Sequence, residues 1–177
     1  MPTAEMALTK LAERTGVMRT AAGEQPELQG QNRIMPLPIS VVILTQNEER
    51  NIAECLDSVA TFDDVHLLDC GSTDRTLEIA NGRGAQIHHN PFQGFGQQRN
   101  WAIDNIPTKY DWQFHLDADE RMTPALAEEL RRVAASNPTC GGYHVPSKLI
   151  FAGRWLKYAG QYPGYQMRFF HKSRVRF

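Results

Sequence analysis

The chain has 177 residues, a formal net charge of −1 and a hydrophobic share of 41%. That length suits one domain with an appendage, and the near-neutral balance gives no global electrostatic case for nucleic acid or for an acidic membrane surface. Three scattered cysteines, Cys55, Cys70 and Cys140, form neither a metal-ligand spacing nor a disulfide framework, which fits a reducing compartment.

In chain order, residues 1–38 read as a flexible extension. Ala4 to Arg14 has the spacing of a short helix that is marginal alone, and Ala21 to Pro38 has the polar, Pro- and Gln-containing composition of a linker. The N-terminus lacks the apolar core of a signal peptide, and no run approaches the roughly 18 apolar residues of a membrane span. The folded domain, 39–177, opens on Ile39–Thr45, apolar on both faces as a buried parallel strand is. Asn47 is the expected N-cap of a helix running to Ala60, with Ile52, Leu56 and Val59 as its stripe. Val65–Asp69 is a second strand; Gly71 permits a tight turn after it, and Ser72 or Thr73 is expected to cap the helix through Ala80. A short strand at 84–89, a glycine-bearing loop at Gly94 and Gly96, and a helix over 97–106 follow. Asp111–Leu116 is the fourth strand, and Thr123-Pro124 starts a helix that Asn137-Pro138 stops.

Four strand–helix alternations predict an α/β fold, a mostly parallel sheet flanked by helices on both faces. Ligands bind such sheets beyond the carboxyl ends of the strands, where Thr45, Asn47, Glu48, Asp69 and Asp117 fall around one crevice. The glycine fingerprints of dinucleotide and phosphate loops do not follow the first strand. The centre of the chain is instead Asp117-Ala118-Asp119-Glu120 at the end of an apolar strand. If that strand continues, Asp117 and Asp119 point the same way, and two like-directed carboxylates need a counter-charge. A divalent cation carrying a diphosphate supplies one, because Mg²⁺ commonly binds through one or two carboxylates plus substrate phosphates. A solvated turn is the competing reading.

Three ordered motifs carry a resemblance: Ile39–Glu49, then Asp69-Cys70-Gly71-Ser72-Thr73-Asp74, then Leu116-Asp117-Ala118-Asp119-Glu120. Together they resemble the family 2 glycosyltransferases of the GT-A fold. The segments Gly94–Ala102, Gly153-Arg154-Trp155 through Tyr162-Pro163, and Met167-Arg168-Phe169-Phe170 are most similar to lipopolysaccharide core enzymes of Gram-negative bacteria. The resemblance implies an inverting transfer of a hexose from a UDP-linked nucleotide-sugar donor to a lipopolysaccharide-core or related glycan or glycolipid acceptor. By that analogy Thr45, Asn47 and Glu48 line the nucleotide pocket, Asp69 contacts base or ribose, and Asp117 lies near the ribose. Asp119 binds Mg²⁺ or Mn²⁺ at the diphosphate, and Arg99 is a cationic partner of the phosphates.

Many family members carry Asp-Asp-Gly-Ser where this chain has Asp69-Cys70-Gly71-Ser72. Relatives also continue into a part that supplies the acceptor side and the general base, often in a His-Glu or Glu-Asp motif. No such motif follows residue 120, so the resemblance implies a C-terminally truncated enzyme whose base lies beyond Phe177. The alternatives are a nucleotide-sugar-binding fragment without transfer and, further off, a nucleotidyltransferase that releases pyrophosphate. The expected location is cytoplasmic, with peripheral contact at the inner membrane through Arg154, Lys157, Arg168, Lys172, Arg174 and Arg176. Glu49 and Asp74 are expected at helix starts, and Glu120 either supports its neighbours or faces solvent. His88, His89 and His115 form no ligand set, and Cys55 and Cys70 read as packed small residues.

Overall fold

The computed structural model describes residues 3–6, 37–158 and 163–177. β1 (Thr3–Met6) is followed, after residues outside that range, by β2 (Ser40–Thr45), α1 (Ile52–Ser58), β3 (Val65–Asp69), α2 (Thr76–Gly82) and β4 (Gln86–His89). Then come α3 (Phe95–Asn105), β5 (Trp112–Asp117), β6 (Glu120–Met122), α4 (Pro124–Ala135), β7 (Gly142–Phe151), β8 (Arg154–Trp155) and β9 (Gly164–His171). The strands form one sheet in the order β4-β3-β2-β5-β9-β7-β1-β6, with β8 on β7.

The first half is the parallel unit expected from the alternation. β2 pairs in parallel with β3 and β5, and β3 with β4. Odd and even residues of β2 face opposite layers. Val41 and Ile43 join Ile52, Leu56, Leu116 and Leu126 on one side, while Val42 and Leu44 meet Leu68, Ala102 and Ile106 on the other. α3 therefore covers one face, and α1, α2 and α4 the opposite one. The register sets Thr45 opposite Asp69 and Leu44 opposite Asp117, so the three chemistry-bearing strand ends finish level.

The second half is antiparallel: β9 pairs with β5 and β7, and β7 with β1 and β8. Its aromatics pack the sheet: Trp112 stacks on Phe169 with ring centroids 4.7 Å apart, and Phe170 is fully buried. β7 and β9 come close at Gly142, where an added Cβ would lie 2.8 Å from Phe170 Cβ and 2.9 Å from the Phe169 carbonyl.

Several local expectations need correction. Thr3–Met6 is a strand, not the start of a helix: it pairs with both β6 and β7, whose backbone groups outbid a helix that is marginal in isolation. The rest of that helix and nearly all of the linker lie outside the described residues. α1 starts at Ile52 rather than after Asn47, and Asn47 has φ 54°. Its side-chain oxygen accepts the Thr73 N–H (2.8 Å) and its own N–H goes to Ser72 Oγ (2.9 Å), so bonds between two loops replace the local cap. At α2, Asp74 rather than Ser72 or Thr73 accepts the Thr76 N–H, at 2.9 Å. α4 follows expectation, with Thr123 Oγ1 accepting from Leu126 N. No helix among the described residues is long and apolar enough to cross a membrane.

Candidate functional site

A cavity of about 350 Å³ opens beyond the carboxyl ends of β2 and β5. Leu44, Thr45, Gln46 and Glu48 line it from the β2 side, and Asp117, Ala118 and Asp119 from the β5 side. Cys70, Phe92 and Phe95 complete the wall. Strand ends that finish level create this crevice, as in other open α/β sheets.

Thr45 and Glu48 thus lie where the sequence sets them. Thr45 is 4% exposed, and its Oγ1 has no hydrogen-bond partner among the described residues. A buried hydroxyl without a partner carries a desolvation cost that a ligand can relieve. Glu48 accepts from Asn51 Nδ2 (2.7 Å), and its N–H reaches Thr76 Oγ1 (2.8 Å).

Asn47 and Asp69 are beside the cavity rather than in its wall. Asp69 is buried and spends its carboxylate on the turn: Gly71 N, Ser72 N and Ser72 Oγ all donate to it. Gly71, with φ 101°, takes a backbone conformation that side-chain-bearing residues rarely adopt, and this brings its N–H onto Asp69. Cys70 does line the cavity. Burial, then the Asp69 charge, pushes its thiol up, so it stands there as a neutral group, not a nucleophile. Its sulfur accepts from Gln98 Nε2 at 3.2 Å.

The acidic motif is arranged differently from the like-directed pair. β5 ends at Asp117, and residues 118–119 form a turn. Asp117 is neutralised by arginines: Arg99 Nη2 donates to Oδ1 (3.0 Å) and Arg168 Nη2 to Oδ2 (2.6 Å). Burial raises the Asp117 carboxyl, but the Arg168 hydrogen bond and the two positive charges outweigh it and hold the group below the usual carboxylate range. Arg99 is accordingly a buried partner of Asp117 and not a free cation in the cavity wall. Glu120 is buried rather than solvated. It accepts from Arg168 Nη2 (2.8 Å) and from the Asp117 N–H (3.0 Å), and burial pushes its carboxyl up to about 7.

Asp119 is the exception. It is exposed at the cavity, and among the described residues no hydrogen bond or ion pair engages its carboxylate. Among the described residues no three His, Cys, Asp or Glu converge on one point. A caged metal therefore does not fit. A hard divalent cation that takes one protein carboxylate and draws its other ligands from a diphosphate and water does fit this donor set.

Sequence reasoning missed the two aromatics. Phe92 and Phe95 meet edge to face with centroids 5.1 Å apart, both exposed at the cavity mouth. The available signal was their position astride Gly94, whose φ of 134° is needed at the start of α3. Arg168 was missed as well. As one of the basic residues expected at a lipid surface it needs correction: it is 1% exposed and enclosed by acids. Lys172 and Arg176 are engaged with Asp111 and Asp104. Arg154 and Lys157 remain exposed.

A model of the glycosyl transferase family 2 matches residues 40–176. The lipopolysaccharide core biosynthesis glycosyltransferase LpsC of Rhizobium meliloti is 29% identical over 125 residues, covering 68% of this chain and 46% of the relative. An uncharacterized glycosyltransferase of Rickettsia typhi is 36% identical over 100 residues, 56% of this chain and 34% of its own length. Among solved structures, the glucosyl-3-phosphoglycerate synthase of Mycobacterium tuberculosis in complex with UDP has 29% identity and a TM-score of 0.41, over 46% of this chain and 33% of that one. The chain thus spans less than half the length of these relatives. The family match begins at the first residue of β2 and takes in all three motif-bearing strand ends: the chain belongs to glycosyl transferase family 2.

Proposed function

We propose that this chain forms the donor-binding part of an inverting glycosyltransferase that moves a hexose from a UDP-linked sugar to a lipopolysaccharide-core or related glycan acceptor. The observation that carries the reading is the cavity at the ends of β2 and β5, with one unengaged carboxylate, Asp119, and one unpartnered hydroxyl, Thr45 Oγ1. A hydroxyl seeking a partner suits the polar edge of a nucleoside, and Phe92 and Phe95 offer faces on which a planar base stacks. Glu48 supplies an acceptor for a ribose hydroxyl, and Asp117, both of whose oxygens are held by arginines, borders the ribose side of the cavity. Asn47 and Asp69 act one step removed, by bracing the two loops against each other.

Asp119 would hold Mg²⁺ or Mn²⁺, which when bound stabilises negative charge on the departing diphosphate. Arg99 keeps Asp117 ionised and oriented. The acceptor assignment is supported by the name of the Rhizobium relative. A second reading is nucleotide-sugar binding without transfer. Peripheral membrane contact belongs to the proposal too, through the exposed hairpin β7–β8.

Titration calorimetry of UDP and UDP-glucose, with and without Mn²⁺, tests the reading. Wild type is expected to bind UDP more tightly with Mn²⁺, and Asp119→Ala to lose that gain, about ten-fold or more, a loss of ~1.4 kcal/mol. Folded wild type that binds neither nucleotide overturns it. Binding without turnover on added glycan acceptors selects the second reading.

A further inference from the structure

Arg168 belongs to β9, in the antiparallel half of the sheet, yet it reaches the acidic turn of the parallel half. Its Nη2 donates to Asp117 Oδ2 at 2.6 Å and to Glu120 Oε1 at 2.8 Å. The other Glu120 oxygen accepts the Asp117 N–H, at 3.0 Å, closing a ring across the turn. Arg121 Nη1 donates to the Ala118 and Glu120 carbonyls, and the Ala118 N–H donates to the Leu44 carbonyl. Asp117, Ala118, Glu120 and Arg121 are thus each tied down, while among the described residues nothing bonds the Asp119 carboxylate between them.

We infer that Arg168 is a positioning residue for Asp119: by gripping Asp117 and Glu120 from both ends of the turn, it sets where the one free carboxylate stands in the cavity. The inference rests on the donor-site reading above and adds to it a residue that touches neither nucleotide nor ion. The grip depends on the guanidinium. One planar nitrogen serves two carboxylates, and the side chain is buried with Nε and Nη1 left without partners among the described residues. A buried cation held by two acids at the cost of two orphaned donors stabilises the fold poorly for its expense, since apolar packing commonly matches such pairs. A lysine retains the charge, but its ammonium stands one bond short of the position that Nη2 holds between the two carboxylates.

The test uses Arg168→Lys, with Glu120→Gln as the milder second variant that weakens the same grip. Two readouts are taken: amide exchange of residues 117–120 without metal, by NMR, and UDP affinity with and without Mn²⁺. Arg168→Lys is expected to speed exchange in the turn at least about ten-fold while the Leu67 and Leu68 amides of β3 stay unchanged. It is also expected to lose most of the Mn²⁺-dependent gain in UDP affinity, with metal-free affinity within about two-fold of wild type. Glu120→Gln moves both readouts the same way by less. A merely structural role would shift the β3 amides and metal-free affinity as well. Wild-type Mn²⁺ dependence in a folded Arg168→Lys protein, or an unchanged turn, overturns the inference alone. Absence of Mn²⁺ dependence in wild type overturns the donor reading and the role of Arg168 together.

Discussion

Thr45 separates a residue's contribution to the fold from its contribution to binding. It ends β2 in a fully buried strand, but its Oγ1 finds no partner among the described residues. Thr45→Val keeps the branched shape and removes an unsatisfied polar atom. Thermal unfolding is expected to stay level or rise by up to about 1 kcal/mol, while UDP affinity falls several-fold. A variant that is clearly less stable, or that binds UDP as wild type does, would show that the hydroxyl has a role inside the fold instead. Asp117 gives the opposite lesson at the same scale. Its position at a strand end is legible in the chain, but its partners are not, because Arg99 and Arg168 lie 18 and 51 residues away. The counter-charge expected from a metal is supplied to Asp117 by protein; the need for one remains only at Asp119.

At the level of elements, hydrophobic period and turn chemistry locate β2, β3, β5 and α4 to within a residue or two. Boundaries fail where a side chain has a better offer from a distant loop, as Asn47 and Ser72 do. The antiparallel strands are harder. β7 mixes buried, half-buried and exposed positions, and β9 alternates only in part, so neither carries a clean period of two. Their pairing is tight all the same. Gly142→Ala would drive a methyl group against Phe170 Cβ and the Phe169 carbonyl, within 3 Å of both. We expect a loss of about 1–3 kcal/mol in chemical unfolding, because backbone in a paired strand cannot yield as a flexible side chain can. Full stability in that variant would mean that the two strands separate readily.

Over the whole molecule, charge is unevenly spread despite a net value of −1. No Asp or Glu follows Glu129, while Lys148, Arg154 and Lys157 cluster on the β7–β8 hairpin. The same hairpin exposes Phe151, Leu156 and Tyr158, the last at 91%, and Lys148 and Lys157 lie over the Trp155 ring. Cations mixed with aromatics suit the headgroup layer of an anionic bilayer. Sedimentation with phosphatidylglycerol-rich vesicles is expected to carry the wild-type protein down, and phosphatidylcholine vesicles much less. Replacing Arg154 and Lys157 by Glu should weaken the first by more than about ten-fold, at about 1 kcal/mol per basic residue. Equal sedimentation with both lipids rules out the electrostatic contact.

What is local in the chain was therefore readable from it: the parallel strands, the helices between them, the crevice beyond their ends and the acids that border it. Each follows from side-chain period, caps and glycines acting over a few residues, and the ordered motifs extend that reading to the family. What needed the folded molecule was pairing across distance. The antiparallel half, the burial of Arg168 and Glu120, the two aromatics at the cavity mouth and the isolation of Asp119 all arise from contacts between segments tens of residues apart. A carboxylate looks the same in sequence whether an arginine reaches it or not. Only the fold brings Arg99 and Arg168 to Asp117 and leaves Asp119 facing the cavity.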